Sequence, residues 1–328
     1  MTETEKKTIV LVGGAGFIGT ALARDLIAAG HTVRIADIVS SATYPEISVL
    51  ADLRNPESLR ATCAGCDVVY NLGAVHRDDV RPLSLYDEVN VAGSENLCRV
   101  AEELGIQTIV FTSSVAVYGL PEGTPDETAP FRPFNAYGRT KAAAEAVHER
   151  WQAADPENRS LTIVRPTVVF GPGNRGNVYN LLRQIAGGRF VMIGKGTNRK
   201  SMAYVDNVSG FLAFVLRYEA GVHRFNYVDR PDFDMNTLVS TVRETLGKGR
   251  GVGIRLPYAV GWLAGLGFDV LARLTGRRFP ISRVRVKKFC ASTAFSGEKM
   301  AASGYRPPVV LADAVKETVL RECGTPPE

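Results

Sequence analysis

A run of glycines after the first apolar segment constrains this chain most strongly. Residues 8–12, Thr-Ile-Val-Leu-Val, predict a buried strand, and the apolar spacing after the run predicts a helix. Gly13 permits a tight turn, Gly16 lets the backbone approach a pyrophosphate, and Gly19 lets the helix pack closely on the strand. With N–H groups at the helix start facing an anion, the segment predicts a dinucleotide site. Its residues are Gly13, Gly14, Ala15, Gly16, Phe17, Ile18 and Gly19.

An acidic residue at the end of the second predicted strand indicates which dinucleotide binds. Asp37 lies 18 positions after Gly19. A carboxylate there accepts hydrogen bonds from both ribose hydroxyls and repels a 2′-phosphate, so we expect NAD rather than NADP. Asp52 and Leu53, which end the next apolar run, are expected at the adenine edge.

Short apolar runs and helical segments alternate through the first half of the chain. Runs rich in Val and Ile at residues 8–12, 33–36, 67–71, 108–112 and 161–165 predict strands buried on both faces. The intervening segments carry apolar residues at helical spacing. The alternation predicts an α/β fold, a Rossmann-type doubly wound parallel sheet with its ligand beyond the carboxyl ends of the strands.

The pattern changes near residue 171, where Gly-Pro-Gly is followed by shorter elements with more glycine and arginine. We therefore expect a dinucleotide-binding Rossmann domain over residues 1–170 that also takes elements from about residues 201–228. Residues 171–328 are expected to form mainly a smaller C-terminal substrate-binding lobe.

Composition narrows the class of protein. The chain has 328 residues, 45% of them apolar, which excludes a disordered protein. Its five scattered cysteines and an N-terminal segment without the apolar stretch of a signal peptide predict a cytoplasmic protein. Cys63 and Cys66 form a CxxC pair, but no second pair or clustered histidines complete a zinc site, so no metal is expected.

A late stretch concentrates positive charge beside an apolar segment. Such a stretch is most often a solvated face, and otherwise attracts phosphate or an anionic membrane. Nucleic acid is not an expected partner because interleaved aromatic residues are missing. Residues 256–274 are too short in their continuous apolar part for a membrane span and predict a helix packed on the lobe or on another subunit, with an interfacial membrane helix as the alternative. The basic residues are Arg273, Arg277, Arg278, Arg283, Arg285, Lys287 and Lys288.

Tyr137 and Lys141 are four residues apart, so a helix presents both on one face. A phenol with its ordinary pKa near 10 is a poor base at neutral pH. A neighbouring ammonium and the positive nicotinamide of an oxidised cofactor favour the phenolate and lower that pKa. Ser114, in the polar turn after the fifth predicted strand, can donate a hydrogen bond to the oxygen that becomes a carbonyl, with Ser113 as its rival.

Taken together, these segments occur in the order found in extended short-chain dehydrogenase/reductases. Over nearly its whole length the chain resembles their NAD-dependent nucleotide-sugar epimerase/dehydratase family. The segments that carry the resemblance are residues 13–19, Asp37, residues 71–74 (Asn-Leu-Gly-Ala), residues 90–93 (Asn-Val-Ala-Gly), residues 112–119, residues 137–141, Arg165 with Pro166, and residues 171–173.

The resemblance implies a role for each matching position. Tyr137 is the general base and acid, Lys141 holds the nicotinamide ribose and tunes Tyr137, and Ser114 binds the reacting oxygen. The cofactor slot is lined by Leu72, Gly73, Ala74, Thr112 and Pro166. The substrate contacts are Asn177, Val191, Ile193 and Lys200. A homodimer formed by helix pairing is also implied.

Two positions depart from the family's pattern. Val115 and Ala116 stand where nucleotide-sugar 4,6-dehydratases carry the Asp-Glu pair that removes water, so dehydration is not expected. Lys200 stands where many relatives carry an Arg that grips the diphosphate, which leaves that task open to Arg199 or Arg283 as well.

The resulting expectation is an NAD-dependent enzyme that acts at C4 of a nucleotide-linked hexose. The first interpretation is a nucleotide-sugar 4-epimerase, which Asp37 favours because retained NAD suits epimerisation. A nucleotide 4-keto-6-deoxy-sugar reductase uses the same Ser, Tyr and Lys and is the alternative. A non-catalytic dinucleotide sensor and an enzyme that acts on an apolar alcohol at a membrane are the hypotheses of other classes.

Overall fold

The computed structural model describes residues 5–77, 80–275 and 282–324. Its strands are β1 (Thr8–Val12), β2 (Thr32–Asp37), β3 (Ser48–Leu50), β4 (Val68–Asn71), β5 (Thr108–Thr112), β6 (Ser160–Pro166), β7 (Val168–Phe170), β8 (Met192–Ile193), β9 (Arg199–Lys200), β10 (Met202–Tyr204), β11 (Gly221–Tyr227), β12 (Phe233–Asp234) and β13 (Arg255–Leu256). Its α-helices are α1 (Phe17–Ala28), α2 (Pro56–Cys63), α3 (Ser84–Tyr86), α4 (Gly93–Glu103), α5 (Ala136–Ala153), α6 (Asn177–Ala186), α7 (Val205–Phe214), α8 (Met235–Thr245), α9 (Tyr258–Thr275), α10 (Arg283–Cys290), α11 (Glu298–Ala302) and α12 (Leu311–Cys323).

Two compact units make up the described chain. The first contains the described residues up to Val169 together with residues 203–228 and 295–309. The second contains the described parts of residues 170–202, 229–294 and 310–328. Residues 295–309, which the sequence placed in the smaller lobe, belong to the first unit because the Tyr305 hydroxyl donates to the Asn207 carbonyl at 2.9 Å.

A parallel sheet of seven strands forms the centre of the first unit, in the order β11-β6-β5-β4-β1-β2-β3. Each neighbouring pair in it is parallel. The strand order reverses direction between β1 and β4, which is the switch point where doubly wound sheets bind their ligands. The predicted α/β fold with a doubly wound parallel sheet is confirmed.

Successive residues of β1 pack on opposite sides of the sheet. Ile9 and Leu11 join the apolar cluster with α1 and α7, while Val10 and Val12 join the cluster with α2, α4 and α5. All four side chains are buried. A strand has a side-chain period of two, so a strand covered on both faces must be apolar throughout, as the uninterrupted run at residues 8–12 is.

In the second unit, helices α6, α8 and α12 pack together. Two short strand pairs lie in the same unit: β8 is parallel to β13, and β9 is antiparallel to β12. Helices α9 and α10 pack against each other. The predicted helix over residues 256–274 is α9, and the unit also carries four of the substrate positions that the family resemblance implied: Asn177, Val191, Ile193 and Lys200.

The glycine turn between β1 and α1 lies at the switch point. Gly13 has a φ of +79°, a left-handed conformation that glycine adopts without strain. A Cβ atom on Gly13 would lie 2.5 Å from the backbone nitrogen of Gly73, which follows β4. Gly19 is as tightly placed, since its Cβ would lie 2.5 Å from the Cα of Gly14. These glycines allow the loops after β1 and β4 to touch and α1 to approach β1.

The contact between Gly13 and Gly73 predicts a difference between two Gly→Ala variants. Gly65 has a similar φ of +69°, but a Cβ there would meet nothing within 4 Å. Left-handed backbone strain should destabilise both variants by about 1–2 kcal/mol. Only Gly13→Ala also overpacks against the Gly73 backbone, which should lower the free energy of unfolding by about a further 1–3 kcal/mol. Urea denaturation should show the larger loss for Gly13→Ala. Equal losses of unfolding free energy would show that the contact between Gly13 and Gly73 does not contribute to the cost of the substitution.

Candidate active site

The start of α5 positions the predicted Tyr and Lys. The Asn135 side chain caps this helix by accepting the Gly138 N–H at 2.8 Å. Gly138 allows the first helical turn to lie against the short 3₁₀ turn at Val115–Tyr118, since a Cβ on Gly138 would lie 2.5 Å from the Ala116 carbonyl oxygen. The cap and the glycine thereby bring Tyr137 to the turn that follows β5.

Ser114 stands at the start of that 3₁₀ turn, where its side chain accepts the Ala116 N–H at 3.1 Å. Ser114 also lies near the Tyr137 phenol, whose pKa its side chain lowers. Ser113, the predicted rival, is buried and its hydroxyl donates to the Glu145 carboxylate. Of the two serines, therefore, Ser114 is placed beside the phenol and Ser113 is committed to the core.

Burial controls the acidity of Tyr137. It raises the pKa of this half-buried phenol to about 12, and the Ser114 side chain only partly opposes that rise. At neutral pH the protein's own groups therefore keep the phenol protonated. Additional positive charge beside the ring is needed to make Tyr137 an efficient base.

Lys141 lies one helical turn further along α5 and is 2% exposed. Its Nζ donates to the Thr112 carbonyl at 2.8 Å and lies 4.7 Å from the centre of the Phe111 ring. The Lys141 side chain is thereby held by β5. Burial lowers the Lys141 pKa to about 7, although the Glu145 charge acts in the opposite direction.

A buried ion pair lies one turn beyond Lys141. Glu145 is 1% and Arg165 2% exposed, and they form a two-point contact with distances of 2.9 Å from Nε to Oε1 and 2.6 Å from Nη2 to Oε2. Arg165 Nη1 also donates to the Tyr118 hydroxyl at 2.6 Å, and that hydroxyl donates to Asn226 Oδ1 at 2.8 Å. Burial alone lowers the pKa of Arg165, but the carboxylate outweighs it and the net shift is upward.

Glu145 was not identified from sequence. The available signals were its position four residues after Lys141, on the same helix face, and the charged Arg165 within an otherwise apolar strand. Each is ambiguous alone because charged residues on helices usually face solvent. The pair ties α5 to the end of β6, and thus supports the helix that carries Tyr137 and Lys141.

The predicted dinucleotide residues gather around the carboxyl ends of β1, β2, β4 and β5. Asp37 Oδ2 accepts the Ala15 N–H of the glycine turn at 3.0 Å. Helix α1, which starts with Phe17 and Ile18, has no side-chain cap at its N-terminus. Thr112 Oγ1 is buried without a hydrogen-bond partner among the described residues. An uncapped helix start suits a diphosphate, and the buried hydroxyl suits a polar ligand, so these residues fit NAD.

Other predicted cofactor residues surround the same edge. Leu53 is buried, and its Cδ1 would lie 2.7 Å from a Cβ placed on Gly73. Asp52 is turned to Arg54 in an ion pair of 2.6 Å, and hydrogen bonds from Arg54 lower the pKa of the Asp52 carboxyl. The remaining residues occupy the ends of strands or the loop after β4: Leu72, Ala74 and Pro166.

Four of the six predicted substrate contacts lie in the second unit. Asn177 is the exposed first residue of α6, and Val191 immediately precedes β8. The Ile193 carbonyl accepts from Cys290 Sγ at 3.4 Å. Lys200 Nζ donates to the Ala291 carbonyl at 2.6 Å, and burial lowers the Lys200 pKa. Ser114, Tyr137 and Lys141 belong to the first unit.

Comparison with known proteins places the chain in a family. A model of the NAD dependent epimerase/dehydratase family matches residues 9–228. The chain belongs to this family. It is an enzyme that uses NAD, and the predicted resemblance and cofactor are confirmed. No helix within the described residues is long and apolar enough to cross a membrane.

Relatives match over nearly the whole length. An Escherichia coli O157:H7 protein, N-acetyl-alpha-D-glucosaminyl-diphospho-ditrans,octacis-undecaprenol 4-epimerase, is 48% identical over 96% of this chain and 95% of its own. The UDP-glucose 4-epimerase of Vibrio cholerae is 26% identical over 95% and 94%. A crystal structure of the Thermus thermophilus UDP-glucose 4-epimerase with NAD has a TM-score of 0.73 at 23% identity, over 97% and 99% of the two chains.

The lowered pKa of Lys141 predicts a pH-dependent stability. The folded-state value of about 7 lies below the ordinary 10.5. Between these pH values the unfolded chain binds a proton that the folded chain does not, so this residue makes the protein more stable as pH rises, by up to about 1.4 kcal/mol per pH unit. In urea titrations from pH 7 to 9.5, Lys141→Met should flatten that rise. The variant of an exposed residue, Lys6→Met, should keep the wild-type slope, and an unchanged slope in Lys141→Met would contradict the assignment.

Two glutamates of α5 form ion pairs with arginines of the central sheet, and these pairs predict unequal costs of the same substitution. Glu145→Gln leaves the buried Arg165 charge uncompensated and should lower the free energy of unfolding by about 3–5 kcal/mol. Glu149 forms its pair with Arg224 at 2.8 Å, with both side chains about one third exposed, so Glu149→Gln should lose about 0–1 kcal/mol. Chemical denaturation measures both. Similar small losses would show that the buried pair does not anchor α5.

Proposed function

We propose that this enzyme inverts C4 of an N-acetylhexosamine that is joined through a diphosphate to a polyprenol. The observation that carries the chemistry is the position of the Ser114 side chain near the Tyr137 phenol, whose pKa it lowers, with Lys141 one turn along the same helix. The carrier is taken from the 48% identical Escherichia coli protein, whose name specifies an undecaprenyl diphosphate sugar. A cytoplasmic location and a homodimer form part of this proposal.

Ser114 and Tyr137 together bind the C4 oxygen. Ser114 donates a hydrogen bond to that oxygen, while Tyr137 accepts the hydroxyl proton. NAD, when bound, supplies a hydride acceptor that later returns the hydride, and a positive nicotinamide ring that favours the phenolate. After the 4-keto sugar presents its other face, Tyr137 returns the proton to the oxygen. The Tyr137 side chain begins and ends the cycle as the phenolate, and the sugar undergoes no net oxidation or reduction.

The residues that follow Ser114 in the turn after β5 restrict the proposed reaction to inversion at C4. Val115 and Ala116, which follow Ser114, carry no acid or base. Removal of the C5 proton and loss of water from C6 require such groups. The proposed enzyme therefore reforms the C4 alcohol and does not proceed to a 6-deoxy product.

The carrier distinguishes this proposal from its nucleotide-linked relative. A uridine diphosphate and a polyprenyl diphosphate attach to the sugar at the same anomeric carbon, so the C4 chemistry is common to both. Sequence similarity favours the polyprenyl carrier, because the relative with that substrate is 48% identical and the Vibrio cholerae UDP-glucose enzyme 26%.

The proposal is tested by supplying the purified protein, without added cofactor, with N-acetylglucosaminyl diphosphoprenol in detergent and, separately, with UDP-N-acetylglucosamine. We expect the lipid-linked sugar to be converted to its C4 epimer, as measured by chromatography of the released sugar. Tyr137→Phe should lower the rate about 10²–10⁴-fold, because it removes the proton acceptor. Tyr70→Phe, which removes a buried hydroxyl that donates to Leu212, should retain the rate.

Three results would contradict parts of this proposal. Conversion of the UDP sugar alone would exclude the lipid carrier. Consumption of NADH with a 4-keto sugar, and no epimerisation, would identify a reductase. Full activity in Tyr137→Phe would show that the phenol takes no part in the proton transfer.

A further inference from the structure

We propose that the outward face of α9, with the basic residues around it, binds the surface of an anionic phospholipid bilayer. The α9 face is defined here as Tyr258, Val260, Trp262, Leu263 and Leu271. It belongs wholly to the second unit. The inference goes beyond the proposed catalytic function and is carried by the surface of this helix, independently of turnover.

Helix α9 packs on its own unit through glycines. A Cβ on Gly261 would lie 2.6 Å from Ile193 Cγ2, and a Cβ on Gly265 would lie 2.8 Å from the backbone nitrogen of Arg283. Both glycines are buried and are four residues apart, so they mark the inner face of the helix. An ordinary surface helix buries its large apolar side chains, whereas α9 buries its smallest ones.

Large apolar side chains consequently face outward. Leu263 is 60%, Val260 45% and Leu271 41% exposed. Tyr258 and Trp262, which flank them, are also exposed, and such rings favour the boundary between lipid and water. A contiguous exposed apolar surface of this kind marks an interaction site.

The positive charge of the chain segment around α9 indicates what binds to this face. Residues 250–290 contain nine Arg and Lys but only Asp269 as an acidic residue, so this stretch is more positive than the whole chain, whose net charge is +5. Asp269 is itself paired with Arg283 at 2.9 Å. Arg273 and Lys287 are exposed. Arg277 and Arg278 lie outside the described residues, and the side chains of Arg285 and Lys288 are also not described.

An apolar face on α9, with an exposed cation on α9 and another on α10, which packs against it, matches an anionic bilayer, which offers acyl chains beneath negative headgroups. A second copy of this chain docked through the same face would bring like charges together, which opposes pairing. The helix lies in the bilayer surface under this proposal and does not cross it, in keeping with the two charged residues within α9, Asp269 and Arg273.

Helix α9 also packs near residues of the second unit that are predicted to contact the substrate. Gly261 packs on Ile193, and Ile193 also accepts the hydrogen bond from Cys290 at the end of α10. Lys200 donates to Ala291, the residue after α10. Ile193 and Lys200 are predicted substrate contacts, so the inner face of α9 packs on an element expected to hold the substrate, while its outward face is the one proposed to bind the bilayer.

The test is flotation of the purified full-length protein with vesicles. We expect binding to vesicles of equal phosphatidylcholine and phosphatidylglycerol, at least tenfold weaker binding to phosphatidylcholine alone, and weakening by salt. Val260→Glu/Leu263→Glu should lower binding at least tenfold. The matched control is Val310→Glu/Leu320→Glu, which alters side chains 60% and 56% exposed in the same unit but outside the basic stretch, and it should bind as the wild type does.

A second measurement on the wild type does not depend on any variant folding. Trp262 is 36% exposed and Trp151 5%, so brominated acyl chains should quench Trp262 emission when the α9 face is inserted. Arg273→Gln/Lys287→Gln should lower affinity for the anionic vesicles and reduce its salt dependence.

Binding and catalysis fail separately in this design. Tyr137→Phe should bind vesicles like the wild type, so a failed epimerase proposal leaves the membrane result intact. Lack of vesicle binding and of bromolipid quenching by the wild type would overturn the inference. So would a dimer in sedimentation that Val260→Glu/Leu263→Glu dissociates, because that would identify a second copy as the occupant.

Discussion

The ion pair between Glu145 and Arg165 supports the arrangement on which the active site depends. Two buried charges are tolerated because each is answered by the other and by further polar groups: Ser113 donates to the carboxylate, and Tyr118 accepts from the guanidinium. The pair joins α5 to the end of β6. Since Tyr137 and Lys141 lie in the preceding turns of the same helix, their positions relative to the sheet follow from this anchor and from the cap at Asn135.

Burial, more than attraction between the two groups, determines the pKa values of Tyr137 and Lys141. Burial disfavours the charged form of both groups, raising the pKa of Tyr137 and lowering that of Lys141. Neither side chain is therefore fully in its charged form at neutral pH through the protein's own groups. In the proposed reaction the positive nicotinamide ring favours the phenolate, which links the strength of the base to the binding of NAD.

The second unit contains a helix whose exposed face is apolar. Its helix α9 buries Gly261 and Gly265 and exposes leucine, valine and tryptophan. Such an arrangement is unfavourable in water unless another apolar phase covers the face. A sugar on a polyprenyl diphosphate is confined to a bilayer surface, so the bilayer-binding helix proposed here suits the substrate proposed here.

Local features of the chain were predictable. The glycine turn, the buried strands and the shared face of Tyr137 and Lys141 follow from steric rules and side-chain periods that act within a few residues of sequence, and the alternation of strands and helices along the chain predicts the doubly wound sheet. Three features required the tertiary structure. The assignment of Ser113 to the core, and of Ser114 to the phenol, depends on an extended backbone that turns adjacent side chains to opposite sides. The Glu145–Arg165 pair joins residues 20 positions apart, and the outward face of α9 depends on which side its glycines meet the neighbouring elements. Long-range packing decides these because residue type and spacing alone do not specify which surface another segment will cover.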